Sequence, residues 1–407
     1  MNRDSFMMLL KNIQLKLPSP RRALVYLHSW LGAIIFAFLL LITITGLIIT
    51  FSGDLIGWEY PELVTATPST APLSPDLEAL ISVAQQGYGE DFDLKGLMMP
   101  HSRLQIDAAT FFGKPVNLPD IETMLLAVDP YQHRYLRAIN LDESWTVMLI
   151  HLHGELLAGH FGELVVAVIG LLTLALLVTG IYLWLPQTHK TARAIKNKAT
   201  RFRWSKNPHT FSFYVHSFLG LWGILFVMTW VLTGVYWSQP QWFKFLLPDL
   251  PRKPPVEMLS QLQQNCGVEI KPNQALKVAQ QAFPDRQLAR LMLPTAKDYY
   301  YSFAFKGDAD SNRYIGNAFA WVSSRCEHRV YSQLFGDKIG LEKLSSLMIS
   351  WHSGRFFGVG QIPIVLFAGF ILALITLTGI VLWYYRHARH LKSLWHGITR
   401  LTVKRLS

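Results

Sequence analysis

Cysteine is nearly absent from this chain of 407 residues, with Cys266 and Cys326 the whole supply. No C-x-x-C occurs, which argues against a thiol-redox or thiolate-metal motif. Charge is scarce as well, at 16% of residues against 51% apolar. That balance belongs to a membrane protein rather than to a soluble or disordered chain. No G-x-G-x-x-G follows a strand pattern and no Walker loop is present, so neither a dinucleotide domain nor ATP-driven work is expected. The nucleophile–base patterns of hydrolases are missing too. Acidic residues are outnumbered by basic ones, 27 to 38, yet no nucleic-acid recognition motif accompanies the surplus.

What the chain has instead is long apolar runs. Four windows, roughly 24–51, 161–186, 212–238 and 358–385, exceed the length needed to cross about 30 Å of hydrocarbon at about 1.5 Å per residue. The first is too long for a secretory leader and lacks a small-residue cleavage site, so it reads as an uncleaved anchor. The net charge of +11 then becomes a topology signal. Lys11, Lys16, Arg21 and Arg22 precede the first window, Lys190 to Lys206 crowd the link between the second and third, and Arg386 to Arg405 follow the fourth. Four crossings put all three basic segments on one side, which the positive-inside rule makes cytoplasmic. The large inserts lie outside. Two cysteines in the second external insert fit a disulfide, with two unpaired thiols as the alternative.

The chain also repeats itself. His28-Ser29-Trp30-Leu31-Gly32 opens one run and His216-Ser217-Phe218-Leu219-Gly220 another, with Thr45-Gly46 and Thr233-Gly234 at the same offset. His153 and His352 precede runs that end Thr179-Gly180 and Thr378-Gly379, again at equal offsets. Each unit is a helix with a histidine at its start, a hydrophilic insert, a second histidine and a second helix. Duplication of this kind places sites at the repeat interface. The expected fold is an all-α membrane four-helix bundle, two repeats of two spans, carrying two small α+β external domains. Its parts are a tail and first helix (1–51), a first external domain (52–150), a histidine segment and second helix (151–186), a basic loop (187–211), a third helix (212–238), a second external domain (239–350), a histidine segment and fourth helix (351–386), and a basic tail (387–407). Within the inserts, helix starts fall at Pro75 and Pro272, and alternating segments suggest strands at 94–99, 103–108, 122–128 and 133–139, then at 287–293, 298–305, 316–323 and 327–334. Each insert is small for a domain and is expected to pack on the bundle or on its twin.

Both inserts resemble the PepSY module. The resemblance rests on the early helices (Leu77 to Gln86, Ala275 to Phe283) and on Val128-Asp129-Pro130-Tyr131-Gln132-His133-Arg134-Tyr135-Leu136, where His133 stands at a position the family usually gives to Gly. With the spans, the His-Ser-Trp-Leu-Gly opening and Leu152-His153-Gly154-Glu155-Leu156-Leu157, nearly the whole chain resembles the PepSY-associated transmembrane proteins of the iron-regulated, siderophore-reductase type. The resemblance implies a haem-bearing protein of the bacterial inner membrane that moves electrons outward to ferric siderophores.

The histidines carry the chemistry. One imidazole in a membrane is a functional candidate by default, though it can simply bond a neighbouring carbonyl. Four at duplicated positions point further, because imidazole is the usual protein ligand of haem iron. The topology pairs His28 with His216 near the cytoplasmic face and His153 with His352 near the external face, giving two expected b-type haems, each with its iron between two histidines. Gly46, Gly180, Gly234 and Gly379 would give a porphyrin flat access to backbone, or merely let helices approach. His153 lies nine residues beyond the level of Gly46, or about 13 Å of helical rise, so a break at Gly154, Gly159 or Gly162 is required, and at Gly354, Gly358 or Gly360 in the second unit. His151, His160 and Arg355 rank behind as supporting residues for a haem or its propionates, and Arg21 and Arg22 read as flanking charge. His189, His209, His387, His390 and His396 read as solvated, and His101, His133 and His328 as external.

The expected activity is reduction of a ferric siderophore or other ferric chelate, with electrons from quinol or a flavoprotein, since the cytoplasmic segments are too short to hold a donor domain. A non-redox PepSY-type binding or regulatory protein, and a transporter that carries haem or iron-siderophore or uses its histidines as proton relays, are the competing classes.

Overall fold

A computed structural model of the chain describes residues 19–64, 75–89, 91–100, 107–118, 123–186, 191–246, 253–310, 315–335 and 341–406. His101, His189 and most of the strand expected over 103–108 lie outside those residues, as do the side chains of His390 and His396. The chain divides into two compact units, one of residues 1–40, 169–231 and 370–407, the other of 41–168 and 232–369.

The elements follow from local chemistry. Helix α1, Pro20–Ile49, starts on a proline, which is pre-set for a first helical position, and α2 is Ser52–Glu59. Helix α3, Leu77–Tyr88, is capped by the Asp76 carboxylate, which accepts from the Ala79 N–H. Strands β1 (Phe92–Met98), β2 (Ala109–Pro115), β3 (Met124–Asp129) and β4 (Arg134–Asn140) follow. Helix α4, Trp145–Glu155, leads to the long apolar α5, Gly159–Trp184. Next come α6 (Thr191–Thr200), α7 (Pro208–Trp222), α8 (Ile224–Ser238) and α9 (Val256–Leu262). The second insert repeats the order with α10 (Pro272–Ala282), β5 (Gln287–Met292), β6 (Tyr300–Lys306), β7 (Ala318–Ser323) and β8 (Val330–Leu334), before α11 (Leu341–His352) and α12 (Gln361–Leu406).

The expected fold is corrected in two respects. The third span does not form as one helix: α7 and α8 meet at Gly223 with a bend of 65°. Among the described residues three helical stretches are long and apolar enough to cross a membrane, Pro20–Ile49, Gly159–Trp184 and Leu347–Ala388, and the bent pair is a fourth only if it counts as one span. The cause is visible in the repeat. The residue equivalent to Gly223 in the first unit is Ile35, which is buried inside an unbroken helix. A Cβ on Gly223 would lie 2.8 Å from Ile371 Cγ2 and 2.9 Å from the Leu219 carbonyl, so only glycine lets the chain turn there.

The second correction concerns the inserts. They are not two small domains but one antiparallel sheet in the order β4-β3-β2-β1-β5-β6-β7-β8. The seam is β1 against β5, with Gly96 opposite Met292, Leu97 opposite Leu291 and Met98 opposite Arg290. Helices α3 and α10 share one face of it, and one core holds Leu77, Leu80, Leu97 and Phe111 together with Ala275, Leu291, Phe303 and Phe305. Asn273 ties the two helix starts, accepting from the Leu77 N–H at 2.8 Å and donating to Asp76 Oδ1 at 2.8 Å. In the second half the sheet is covered on both faces. Tyr301, Phe303 and Phe305 of β6 point to α10, while Tyr300 and Ala304 share a smaller cluster with Leu262 of α9 and Trp321. Strands β6 and β7 are therefore apolar without a polar alternate. Cys266 and Cys326 are joined by a disulfide that fastens the segment before α10 to the β7–β8 turn.

Candidate functional site

His28 of α1 and His216 of α7 face one another, their ring centroids 6.3 Å apart and their planes nearly perpendicular. Each ring is held through Nδ1. His216 Nδ1 lies 2.9 Å from the Ile375 carbonyl, and a carbonyl can only accept, so the proton sits on Nδ1. His28 Nδ1 lies 2.9 Å from Thr179 Oγ1, and that hydroxyl gives its own proton to the Ala175 carbonyl at 2.7 Å. The threonine therefore accepts from His28. The lone pair of each imidazole is thus on Nε2, the condition of a metal ligand whose other nitrogen is fixed by an outer partner. Behind the rings stand two glycines: a Cβ on Gly180 would be 3.4 Å from His28 Cε1, and one on Gly379 3.3 Å from His216 Cε1.

The second pair has the same construction. His153 of α4 and His352 of α11 have ring centroids 6.0 Å apart. His153 Nδ1 donates to the Ile42 carbonyl at 2.9 Å, with Thr45 Oγ1 at 3.3 Å, and His352 Nδ1 lies 2.9 Å from Thr233 Oγ1. Gly46 and Gly234 back these rings, with Cβ-to-Cε1 distances of 2.8 Å and 3.3 Å. All four glycines, Gly46, Gly180, Gly234 and Gly379, lie against an imidazole of another helix and so back the rings.

The break in the chain that His153 requires is present. Helix α4 ends at Leu156 and Leu157, both at positive φ, and α5 begins at Gly159, φ 53°. A Cβ on Gly162 would sit 1.6 Å from the Glu155 carbonyl, so the reversal depends on that glycine. Gly154 stays helical and takes no part. In the second unit, Gly354 (φ 71°) and Gly358 (φ 57°) make the turn. The start of α4 is clamped by Glu59, whose carboxylate accepts from the Ser144 and Thr146 hydroxyls at 2.9 and 2.8 Å and from the Trp145 N–H at 3.0 Å. Burial pushes the Glu59 carboxyl up, but these donors outweigh it and hold it below the ordinary carboxylate value.

The remaining candidates lie elsewhere. His151 is half exposed and pairs with Glu155, and His160 is exposed and pairs with Glu163 at 2.9 Å. Arg355 is half-buried at the start of the turn after His352. Arg21 donates to the Leu183 carbonyl at 2.6 Å and so caps the end of α5. His133 and His328 occupy left-handed positions in the turns before β4 and β8, at φ 50° and 63°, a backbone region that favours glycine. His387, expected to be solvated, is only 6% exposed and packs beside Trp30 and Trp383. A recess on the sheet, lined by Met258, Leu262, His328 and Tyr331, has a volume of about 130 Å³. That is below the roughly 300 Å³ of small-molecule sites, so it does not mark a substrate pocket. Thr45, Thr179, Thr233 and Thr378 stand out in the sequence only as half of the recurrent Thr-Gly pair; the structure sets each hydroxyl against an imidazole Nδ1.

Fold and site define a class: a membrane protein of duplicated design with an eight-stranded antiparallel sheet and histidines set in facing pairs. The chain belongs to the family described as the PepSY-associated TM region, whose model matches residues 25–386. No curated protein matches it.

Proposed function

We propose that this protein is a di-haem reductase of the bacterial inner membrane that passes electrons from the cytoplasmic side or the quinol pool to ferric siderophores outside. Bound between two imidazoles, an iron macrocycle supplies reversible one-electron chemistry. The observation that carries the reading is the form of the two histidine pairs. Metal–imidazole bonds of about 2.0–2.1 Å, with about 1.1 Å from nitrogen to ring centre on each side, call for centroids about 6.2–6.4 Å apart, against 6.3 and 6.0 Å here. Among the described residues no group of three or more His, Cys, Asp or Glu gathers. His28 with His216, and His153 with His352, would therefore hold an iron that arrives already bound in a macrocycle. The hydrogen bonds at Nδ1 also suit rings that would hold an iron, because an Nδ1–H held by an outer acceptor makes the imidazole a stronger and better-oriented base at Nε2.

The chain's own contribution is to hold four rings without rotation in an apolar setting, which tunes potential by ligation and burial. The basic flanks at Arg21 and Arg22 and at the cytoplasmic loop orient the first pair toward the inner face. Reduction of an external ferric chelate releases Fe(II), which hard oxygen donors bind less well than Fe(III).

The test is a visible spectrum of the full chain purified from cells supplied with haem. Sharp α and Soret bands on dithionite reduction, reoxidised on mixing with ferric chelates, are the expected result. His153→Ala and His352→Ala should each remove the same spectral component and leave the other. A colourless protein, or bands unmoved by ferric chelates, would refute the assignment.

A further inference from the structure

Two buried indole N–H groups at repeat-equivalent positions have no acceptor among the described residues: Trp184 Nε1 and Trp383 Nε1. An indole N–H can only donate, and a buried donor without a partner is destabilising, so a matched pair calls for an explanation. Each tryptophan stands four residues after the glycine that backs an imidazole, Gly180 for His28 and Gly379 for His216. Four residues is one turn, so each indole is on the same helix face as that glycine, about 6 Å further along.

A third orphan completes the set. His387, one turn beyond Trp383, donates from Nδ1 to the Trp383 carbonyl at 2.9 Å, which leaves a buried lone pair on Nε2 with no donor among the described residues. Its ring lies 5.4 Å from that of Trp383 and 4.9 Å from that of Trp30. The Trp184 side is cationic instead, with Lys198 Nζ 4.8 Å from the indole centroid. One side therefore offers a donor beside a charge, and the other a donor beside an acceptor. The first suits an ionised carboxylate. The second suits a carboxyl group that keeps or shares a proton, accepting from the indole and donating to the imidazole.

We infer that Trp184 and Trp383, with Lys198 and His387, receive the two acidic side arms of the macrocycle held by His28 and His216. The inference rests on the haem reading above. It makes the two tryptophans positioning residues that fix the rotation of the ring in its plane, and it gives the two arms unequal surroundings.

The experiment uses the full chain in detergent with His153→Ala and His352→Ala, so that only the His28–His216 pair is read. The cofactor-free protein is titrated with haem and with haem dimethyl ester, followed by the Soret band. Loss of charge-assisted bonds of this kind should weaken the ester about tenfold relative to haem, at about 1.4 kcal/mol per decade. Trp184→Phe and Trp383→Phe, which keep the ring and delete the N–H, should each reduce that preference, and the double variant should abolish it. Equal binding of haem and ester, or an undiminished preference in the double variant, overturns this inference while the imidazole pair stands. Failure of either compound to give a Soret shift overturns the haem reading itself, and this inference with it.

Discussion

Gly46→Ala should separate the stability of the protein from the integrity of its second histidine pair. The added Cβ would lie 2.8 Å from Cε1 of His153 and 3.3 Å from Nδ1. Ordinary carbon contacts are about 3.5–4.0 Å, so the ring must retreat by about 0.7–1.2 Å. The Nδ1 bond to the Ile42 carbonyl, now 2.9 Å, then stretches to about 3.6 Å and ceases to be a hydrogen bond. Losing it costs about 1 kcal/mol, and replacing glycine by alanine inside a helix returns about the same. Thermal unfolding should therefore change little, by about 1 kcal/mol or less, while the spectral component assigned to His153 and His352 is lost or converted. Gly180→Ala is the comparison. Its Cβ would meet His28 Cε1 at 3.4 Å, an ordinary contact, so the His28–His216 component should survive. The assay is low-temperature visible and paramagnetic resonance spectroscopy of both variants beside a melting curve. Two intact components in Gly46→Ala, or equal damage in both variants, would refute the reasoning.

Thr179→Val removes the acceptor of the His28 Nδ1–H and should weaken ligation at that pair by about 10–100-fold, measured by cofactor titration; Thr173→Val, whose hydroxyl bonds only its own helix at Ile169, is the control and should change nothing. Glu59→Gln should loosen the start of α4 by about 1–3 kcal/mol at neutral pH. Because the folded Glu59 is held below its ordinary value of 4.5, its stabilisation is full above that pH and fades as pH falls through the folded value. Melting curves of wild type and variant should accordingly converge in acid, and a constant difference would refute the sign. The disulfide closes a separation of 60 residues, which chain entropy values at about 4 kcal/mol. Cys266→Ser with Cys326→Ser should lower the denaturant midpoint of the sheet without altering either histidine pair.

The pairing of histidines was legible because the duplication is written in residues that have no other reason to recur. A His and a Thr-Gly at one offset, twice over, encode a ring, its hydrogen-bond acceptor and the gap behind it. The offset could not say that an imidazole lies against each glycine, since nothing in the sequence states which helix faces which. The backward turn at Leu156 and Leu157 was signalled only by the misfit in helical rise, which demanded a break near Gly159 and Gly162. The broken third span was hidden by its composition. Residues 212–238 carry no Asp, Glu, Lys or Arg and are mostly apolar, and hydropathy is blind to a single Gly223 replacing the Ile35 of the other repeat. His387 was misread for the related reason that neighbouring basic residues suggest water, whereas its own helix face turns it onto Trp30 and Trp383.

The fused sheet shows where periodicity stops being informative. Strands β5 to β8 fell near their expected places because aromatic runs such as Tyr300–Phe305 have few alternatives. Strand β2 was missed, since Ala109–Pro115 carries a glycine and a proline that read as loop. Nothing in either insert states its partner, yet the physics of edges does. A four-stranded sheet of this size exposes two rows of unpaired amides and cannot cover a core alone. Joining β1 to β5 removes one edge from each copy and lets α3 and α10 close a single core. Gly96 is the local trace of that junction: a Cβ there would stand 2.4 Å from the Leu291 carbonyl and 2.6 Å from Phe112. The two edges left over are guarded, β4 by Arg137 paired with Glu62 at 3.0 Å, and β8 by its shortness and by α9. Duplication thus solves a problem in the inserts that a single copy could not, and the same two-fold logic that seals the sheet sets the imidazoles face to face.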